Sequence, residues 1–136
     1  MARLRSDAHY ALLESALAMP GQAEWSYIAG PSLATLYTDE QSTRLRRAGH
    51  DDVQWDEPFE ALQAVAAPLD RPGIDGARPP GMNFIGGWVG LLGYDLARNV
   101  ERLPALARHD PPLPRSWWMA VDQVLAFHHA SGQWWH

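Results

Sequence analysis

"FIGGWVGLLGYDLARNVERLP", residues 84–104, reads as a strand that passes at once into a charged helix. Four of its first ten residues are glycine: Gly86, Gly87, Gly90 and Gly93. Glycine inside a strand costs about 0.5–1 kcal/mol relative to alanine, so four cost roughly 2–4 kcal/mol, and something must offset that. Sorted by strand parity, one face carries Phe84, Gly86, Trp88, Gly90 and Leu92, the other Ile85, Gly87, Val89 and Leu91. Neither face has a polar side chain, so a strand buried on both sides is expected. Rings alternating with glycine on the first face predict that another backbone or a ring comes close. "YDLARNVERLP" then predicts a short helix with Asp95 in its first turn, Leu96, Val100 and Leu103 on one side, and Pro104 at its end. Asp95, Arg98 and Glu101 on that helix read as a structural charge cluster.

These glycines do not form a phosphate loop. Gly87, Gly90 and Gly93 give G-x-x-G-x-x-G, which is not the dinucleotide fingerprint, and no lysine follows. The chain has no lysine anywhere, and all eleven basic residues are arginine. Cysteine is absent too, which excludes disulfides, zinc–thiolate sites and cysteine nucleophiles. A net charge of −5 argues against nucleic acid as a partner. No apolar run approaches the roughly 20 residues of a membrane-spanning helix. The start "MARLRSDAHY" lacks the apolar core of a signal peptide, so a cytoplasmic location is expected.

At 136 residues the length fits one domain. "SDAHYALLESALAM" allows two readings: a helix capped by Asp7 with Tyr10, Leu13 and Leu17 on one face, or a short strand through "YALLES". "EWSYIAG" and "SLATLYT", separated by Gly30-Pro31, predict two antiparallel strands joined by a turn; "TRLRRAG" and "DDVQW" extend that sheet. "DEPFEALQAVAAPL" predicts a helix with Pro58 at its first position and Phe59, Leu62, Val65, Ala66 and Leu69 on its apolar face. Residues 70–81 are rich in proline and glycine and read as a surface loop. "SWWMAVDQVLAFHH" predicts one strand with Trp117, Met119, Val121, Leu125 and Phe127 on one face, and "SGQWWH" a hairpin return through Ser131-Gly132. A return strand of exposed aromatic residues is an aggregation hazard, which makes the sequence read as the front part of something longer. His128 and His129 point to opposite faces of a strand and do not share a metal ion.

"GGWVGLLGYDLARNVERLP", followed by "ARHDPPLP" and "DQVLAFHHASGQWW", resembles the N-terminal portion of the aminodeoxychorismate synthase component I (para-aminobenzoate synthase component I) family and the related anthranilate synthase component I family. Those families show "GG-x-x-G-x-x-GYD-x-x-R-x-x-E-x-LP", here Gly86, Gly87, Gly90, Gly93, Tyr94, Asp95, Arg98 and Glu101 through Pro104. "LLES" and "DEPFEAL" match at the expected distances upstream. His128 departs from the family, which has aspartate there. The "GYDLAR" wording is closer to the aminodeoxychorismate branch.

The resemblance implies an α+β fold of antiparallel β-sheets flanked by helices, the N-terminal part of a chorismate-utilising synthase α/β sandwich, with residues 1–136 as a single N-terminal lobe. It implies a parent enzyme that aminates chorismate with ammonia from a glutamine amidotransferase subunit and with Mg²⁺. The catalytic residues lie in a C-terminal lobe, the other implied partner, so this chain alone is expected to be inactive and to hold no cofactor. It further implies a tryptophan-type pocket, placed on Glu14, Ser15, Gln22, Ala23, Glu24 and Trp25, with L-tryptophan as its ligand. A hydroxyl and a carboxylate suit an ammonium, and an aromatic wall suits an indole. Under the resemblance "YALLES" becomes a strand.

Overall fold

The computed structural model describes residues 8–14, 23–66, 78–104 and 113–136. Its strands are β1 (Ala11–Leu13), β2 (Trp25–Ala29), β3 (Ala34–Thr38), β4 (Thr43–Arg47), β5 (Val53–Trp55), β6 (Gly87–Leu92), β7 (Ser116–Val121), β8 (Val124–His128) and β9 (Gln133–Trp135). One helix, α1 (Pro58–Ala66), follows β5, and a 3-10 helix (Tyr94–Asn99) follows β6. A four-stranded sheet has the order β1-β2-β8-β9, and a five-stranded sheet the order β5-β4-β3-β7-β6. The fold is thus α+β, built on two antiparallel sheets, and "YALLES" supplies a strand.

The chain divides into two compact units. The first holds the four-stranded sheet together with the start of β6 and the end of β7. In it Trp25, Met82 and Ala126 are buried together, with Tyr27 and Ile85 packed against them. The second holds β3, β4, β5, α1, the 3-10 helix and the remainder of β6 and β7. Leu36 and Met119 are its largest fully buried apolar side chains. A hydroxyl chain is buried in the same unit: Ser116 Oγ donates to Thr38 Oγ1 at 2.8 Å, which lies 3.0 Å from Thr43 Oγ1.

β2 and β3 are not hairpin partners as expected. β2 pairs with β1 and β8, whereas β3 pairs with β4 and neighbours β7. Between them the chain crosses from one sheet to the other. Its crossing N–H groups donate outside any hairpin, Gly30 to the Gln123 carbonyl at 3.0 Å and Leu33 to that of Ala120 at 2.8 Å. "SWWMAVDQVLAFHH" likewise is two strands in two sheets, broken at Asp122-Gln123. The break shifts the side-chain parity, so Met119 and Val121 are buried before it and Val124 and Ala126 after it, while Leu125 and Phe127 are half-buried; within β7, Ser116 is also buried and Trp117 half-buried. β4 and β5 extend the β3 sheet, and β8 and β9 form the hairpin through Ser131-Gly132.

The helix over "PFEALQAVA" starts at Pro58, but its inner stripe is Pro58, Ala61, Leu62 and Val65. That is an i, i+3, i+4, i+7 set turned by one position from the expected one, and it leaves Phe59 and Ala66 exposed. Leu69, Asp7 and most of the 70–81 loop lie outside the described residues. "YDLARN" forms a 3-10 helix, so the 3.6-residue stripe expected there does not develop. Leu96 is buried, and Val100 and Leu103 are exposed.

The glycines answer to one neighbour. A Cβ on Gly86 would lie 2.9 Å from the Val121 carbonyl oxygen, and one on Gly93 2.8 Å from that of Arg115. At Gly90 it would run into the Trp117 carbonyl oxygen and sit 2.6 Å from the Trp118 Cα. The contacts run in opposite chain order, so β6 lies antiparallel to β7 and against its backbone. Close approach is therefore the role of Gly86, Gly90 and Gly93, as the ring–glycine alternation predicts. Gly87, by contrast, meets nothing on that side. The strand is not buried on both faces, however. β6 is an outer strand, and Gly90, Leu91 and Leu92 are exposed.

Candidate functional site

In the first unit, the expected pocket residues are placed by β1 and β2. Glu14 follows β1 and is exposed; Ala23 and Glu24 lead into β2, with Ala23 at φ 57° and Glu24 exposed. Ser15 and Gln22 lie outside the described residues. Trp25 opens β2 and is only 6% exposed, so its indole fills space in the core rather than standing as a bare wall. Its ring stacks near Tyr27 at 6.5 Å and lies 4.6 Å from the His128 ring, while Tyr27 meets Phe84 edge-on at 5.7 Å. The indole Nε1 is buried without a hydrogen-bond partner, and a Cβ on Gly81 would lie 3.5 Å from it.

Polar groups surround this aromatic cluster. The His129 N–H donates to the Glu24 carbonyl at 2.9 Å, and its Nε2 is 2.9 Å from Ser26 Oγ. His128 Nδ1 is 2.9 Å from Ser131 Oγ. The two histidines thus serve separate partners. The cluster itself is apolar and aromatic, and the Glu14 and Glu24 side chains are exposed. Sequence reasoning missed Met82, which lies outside every strand, and the His128 ring, which the β8 pairing with β2 brings to Trp25 from about a hundred positions away.

In the second unit, the motif after the glycines builds a polar cleft of about 330 Å³ lined by Glu40, Asp95, Arg98, Asn99 and Arg115. Arg98 pairs with Asp95 at 3.0 Å, one 3-10 turn apart. Arg115 Nη2 donates to the Asp95 carbonyl at 3.2 Å and to the Asn99 side-chain oxygen, and the Asn99 amide donates to Glu57 Oε2 at 3.3 Å. The expected cluster therefore keeps Asp95 and Arg98, gains Arg115 and Asn99, and leaves Glu101 exposed with its N–H bound to the Ala97 carbonyl at 2.8 Å. Tyr94 projects away from the protein. Arg115 carried no sequence signal of its own; its place follows from Gly93 N–H donating to the Arg115 carbonyl at 2.7 Å.

The one titration displaced from its ordinary range is that of Asp39 among the described residues. The N–H groups of Gln41 and then Ser42 donate to its carboxylate at 2.8 and 2.9 Å and hold its pKa down, with Arg44 3.6 Å away adding to the effect. No group of three or more metal-ligating side chains occurs among the described residues. Nor is any helix among them long and apolar enough to cross a membrane.

No protein-family model matches the chain. It is 33% identical over 103 residues to aminodeoxychorismate synthase component 1 of Escherichia coli (strain K12), covering 76% of this chain and 22% of that protein. It is 34% identical over 120 residues to anthranilate synthase component 1 of Streptomyces coelicolor, covering 88% of this chain and 19% of that protein. The structure of anthranilate synthase component I from Streptococcus pneumoniae TIGR4 superposes with a TM-score of 0.58 at 19% identity, over 97% of this chain and 26% of that one. The chain spans about a fifth to a quarter of the length of these relatives. Over that span it belongs, in sequence and in fold, with component 1 of the aminodeoxychorismate and anthranilate synthases.

Proposed function

We propose that this chain is the N-terminal, non-catalytic lobe of an enzyme of the aminodeoxychorismate synthase component 1 type, which converts chorismate to 4-amino-4-deoxychorismate for para-aminobenzoate and folate synthesis. The observation that carries the reading is the 33% identity to the Escherichia coli protein across 103 residues. The "GYDLAR" wording at residues 93–98 supports that branch. A chain without lysine offers no lysine nucleophile, so the reaction and its Mg²⁺ fall to a catalytic lobe outside these 136 residues. The ammonia comes from a glutamine amidotransferase partner, in keeping with relatives that are named as one component of a synthase.

The test is a product assay on the gene product that carries this sequence, with chorismate, Mg²⁺ and ammonium. 4-Amino-4-deoxychorismate is the expected product. Anthranilate would move the chain to the other branch, which the Streptomyces coelicolor match favours equally by identity. Unconsumed chorismate would remove the enzyme reading.

The aromatic cluster around Trp25, with the Glu14 and Glu24 carboxylates nearby in the chain, supports a tryptophan-type pocket in this lobe. It equally suits a stand-alone module for aromatic amino acids. Calorimetric titration of the 136-residue chain with L-tryptophan decides between them: tight binding without any other lobe favours the module. No heat from either the chain or the whole gene product would remove the pocket.

A further inference from the structure

The polar cleft of the second unit has no part in the function proposed above. Glu40, Asp95, Arg98, Asn99 and Arg115 line about 330 Å³, with no apolar side chain among them. Ligand pockets run from roughly 300 to 1,000 Å³ and are mostly apolar, so this cleft is at the small end and of the opposite polarity. It suits a small, water-soluble molecule and offers an indole or a phenyl ring no apolar wall.

The charges that line it are not all spent on one another. Asp95 Oδ1 takes Arg98 Nη2 at 3.0 Å. Arg115 meets neutral oxygens instead: its Nη2 donates to the Asp95 carbonyl at 3.2 Å and to Asn99 Oδ1. Asn99 is itself tied to Glu57 at 3.3 Å, so the Arg115 fork is held in place before any ligand arrives. A guanidinium carries five N–H donors, and the side-chain bonds of both arginines use Nη2, which leaves Nε and Nη1 of each for a ligand. The Arg115 N–H donates to the Thr38 carbonyl at 2.9 Å, two residues before Glu40, and this brings the Glu40 carboxylate to the same cleft. A carboxylate has about four lone-pair sites, so Glu40 can accept an ammonium beside any partner it already has.

The sum of the charges selects the class of ligand. Two arginines and two carboxylates cancel, so an anion drawn to Arg115 is repelled by Glu40, and a cation meets the reverse. A molecule with both charges is attracted at both ends. We propose that this cleft binds a small α-amino acid with a polar side chain or none, its carboxylate on Arg115 and its ammonium on Glu40. It shares no residue with the tryptophan-type pocket proposed for the first unit. It stands whichever chorismate branch the chain belongs to.

The test is calorimetric titration of the gene product that carries this sequence, with glycine, L-serine and L-glutamine in turn as probes. Saturable binding of at least one of them is expected. Acetate and methylammonium, each with a single charge, are expected to bind about tenfold more weakly or worse. Glu40→Gln changes an exposed position, and its far-ultraviolet spectrum should match wild type. It is expected to weaken the amino acid about tenfold and to strengthen acetate about twofold, because the repelling carboxylate is gone. Arg115→Gln is expected to abolish both, but Arg115 also holds the 3-10 helix, so Glu40→Gln decides. Amino-acid binding untouched by Glu40→Gln overturns the site. So does acetate binding that falls along with it, which marks a structural loss rather than a lost charge. L-Tryptophan should be bound equally by wild type and Glu40→Gln, and a parallel loss would merge this cleft with the first unit's pocket and overturn the assignment. No binding of any of the three probes overturns it outright and leaves the product assay to decide the proposed function.

Discussion

β7 has two neighbours, and the sequence fastens it to each by opposite means. Towards β3 it presents Ser116, whose hydroxyl joins Thr38 and Thr43 in a buried chain of three. Towards β6 it presents bare backbone, and the glycines facing it leave no room for even a methyl group. The first contact is a set of directional bonds, each separately removable. The second is a steric condition met at several positions along one strand. A hydroxyl chain therefore loses stability in steps, whereas a glycine contact tolerates no first step.

Gly90→Val is the sharpest way to break the β6 side. Its Cβ would sit 2.6 Å from the Trp118 Cα and against the Trp117 carbonyl, so backbone and not a flexible side chain has to move. We expect a loss of about 3 kcal/mol or more, seen as a fall in Tm of roughly 10 °C. Gly90→Ala should cost nearly as much, because the first carbon already makes the collision. An unchanged melting curve for the alanine variant would show that the two backbones are not held this close.

On the β3 side, Thr38→Val keeps the shape and removes the central hydroxyl, so Thr43 and Ser116 both lose a buried partner. The expected cost is about 1–3 kcal/mol by denaturant titration. Ser116→Ala removes an end of the chain and leaves the Thr38–Thr43 contact, so it should cost less than Thr38→Val. Equal losses would mean that the three hydroxyls act independently.

The contrast also explains what could be read from the sequence. The glycine approach was legible because strand glycine alternating with rings has few other physical meanings. The α1 helix and the β8–β9 hairpin were legible from local signals, Pro58 and Ser131-Gly132. Sheet membership was not. β2 and β3 are adjacent in the chain but sit in different sheets, and the decisive bonds of Gly30 and Leu33 go to Gln123 and Ala120, some ninety residues away. The site was legible in part for a similar reason. Local spacing in the 3-10 helix brings Asp95, Arg98 and Asn99 together, while Arg115 joins them only through the β6–β7 contact at Gly93. The exposure of Leu91 and Leu92 escaped altogether, since apolar alternation does not reveal whether a strand is central or outer.

Gly132 sharpens the comparison from the other direction. It has a positive φ of 66° in the β8–β9 turn, but a Cβ there would meet nothing within 4 Å. Conformation alone requires glycine at this position, with no steric block. Gly132→Ala should therefore cost about 1–2 kcal/mol, well below Gly90→Ala, and Gly132→Asn less again because asparagine tolerates the left-handed region. A Gly132→Ala variant as unstable as Gly90→Ala would remove the distinction between strained and blocked glycines.

The smallest effect belongs to the turn between β3 and β4, directly after Thr38. The Asp39 carboxylate accepts hydrogen bonds from the Gln41 and Ser42 N–H groups, and its pKa in the folded protein lies below the ordinary aspartate value. A depressed folded-state pKa contributes stability that is fully present above the unfolded pKa, near 4, and is lost as pH falls through the folded value. Wild type and Asp39→Ser should thus differ by a constant amount from pH 8 to about pH 5. The two should converge on further acidification, because protonated Asp39 no longer attracts the two N–H groups or Arg44. If the difference in midpoint between them stays flat down to pH 3, the turn is held by backbone geometry and the carboxylate charge contributes nothing to the β3–β4 connection.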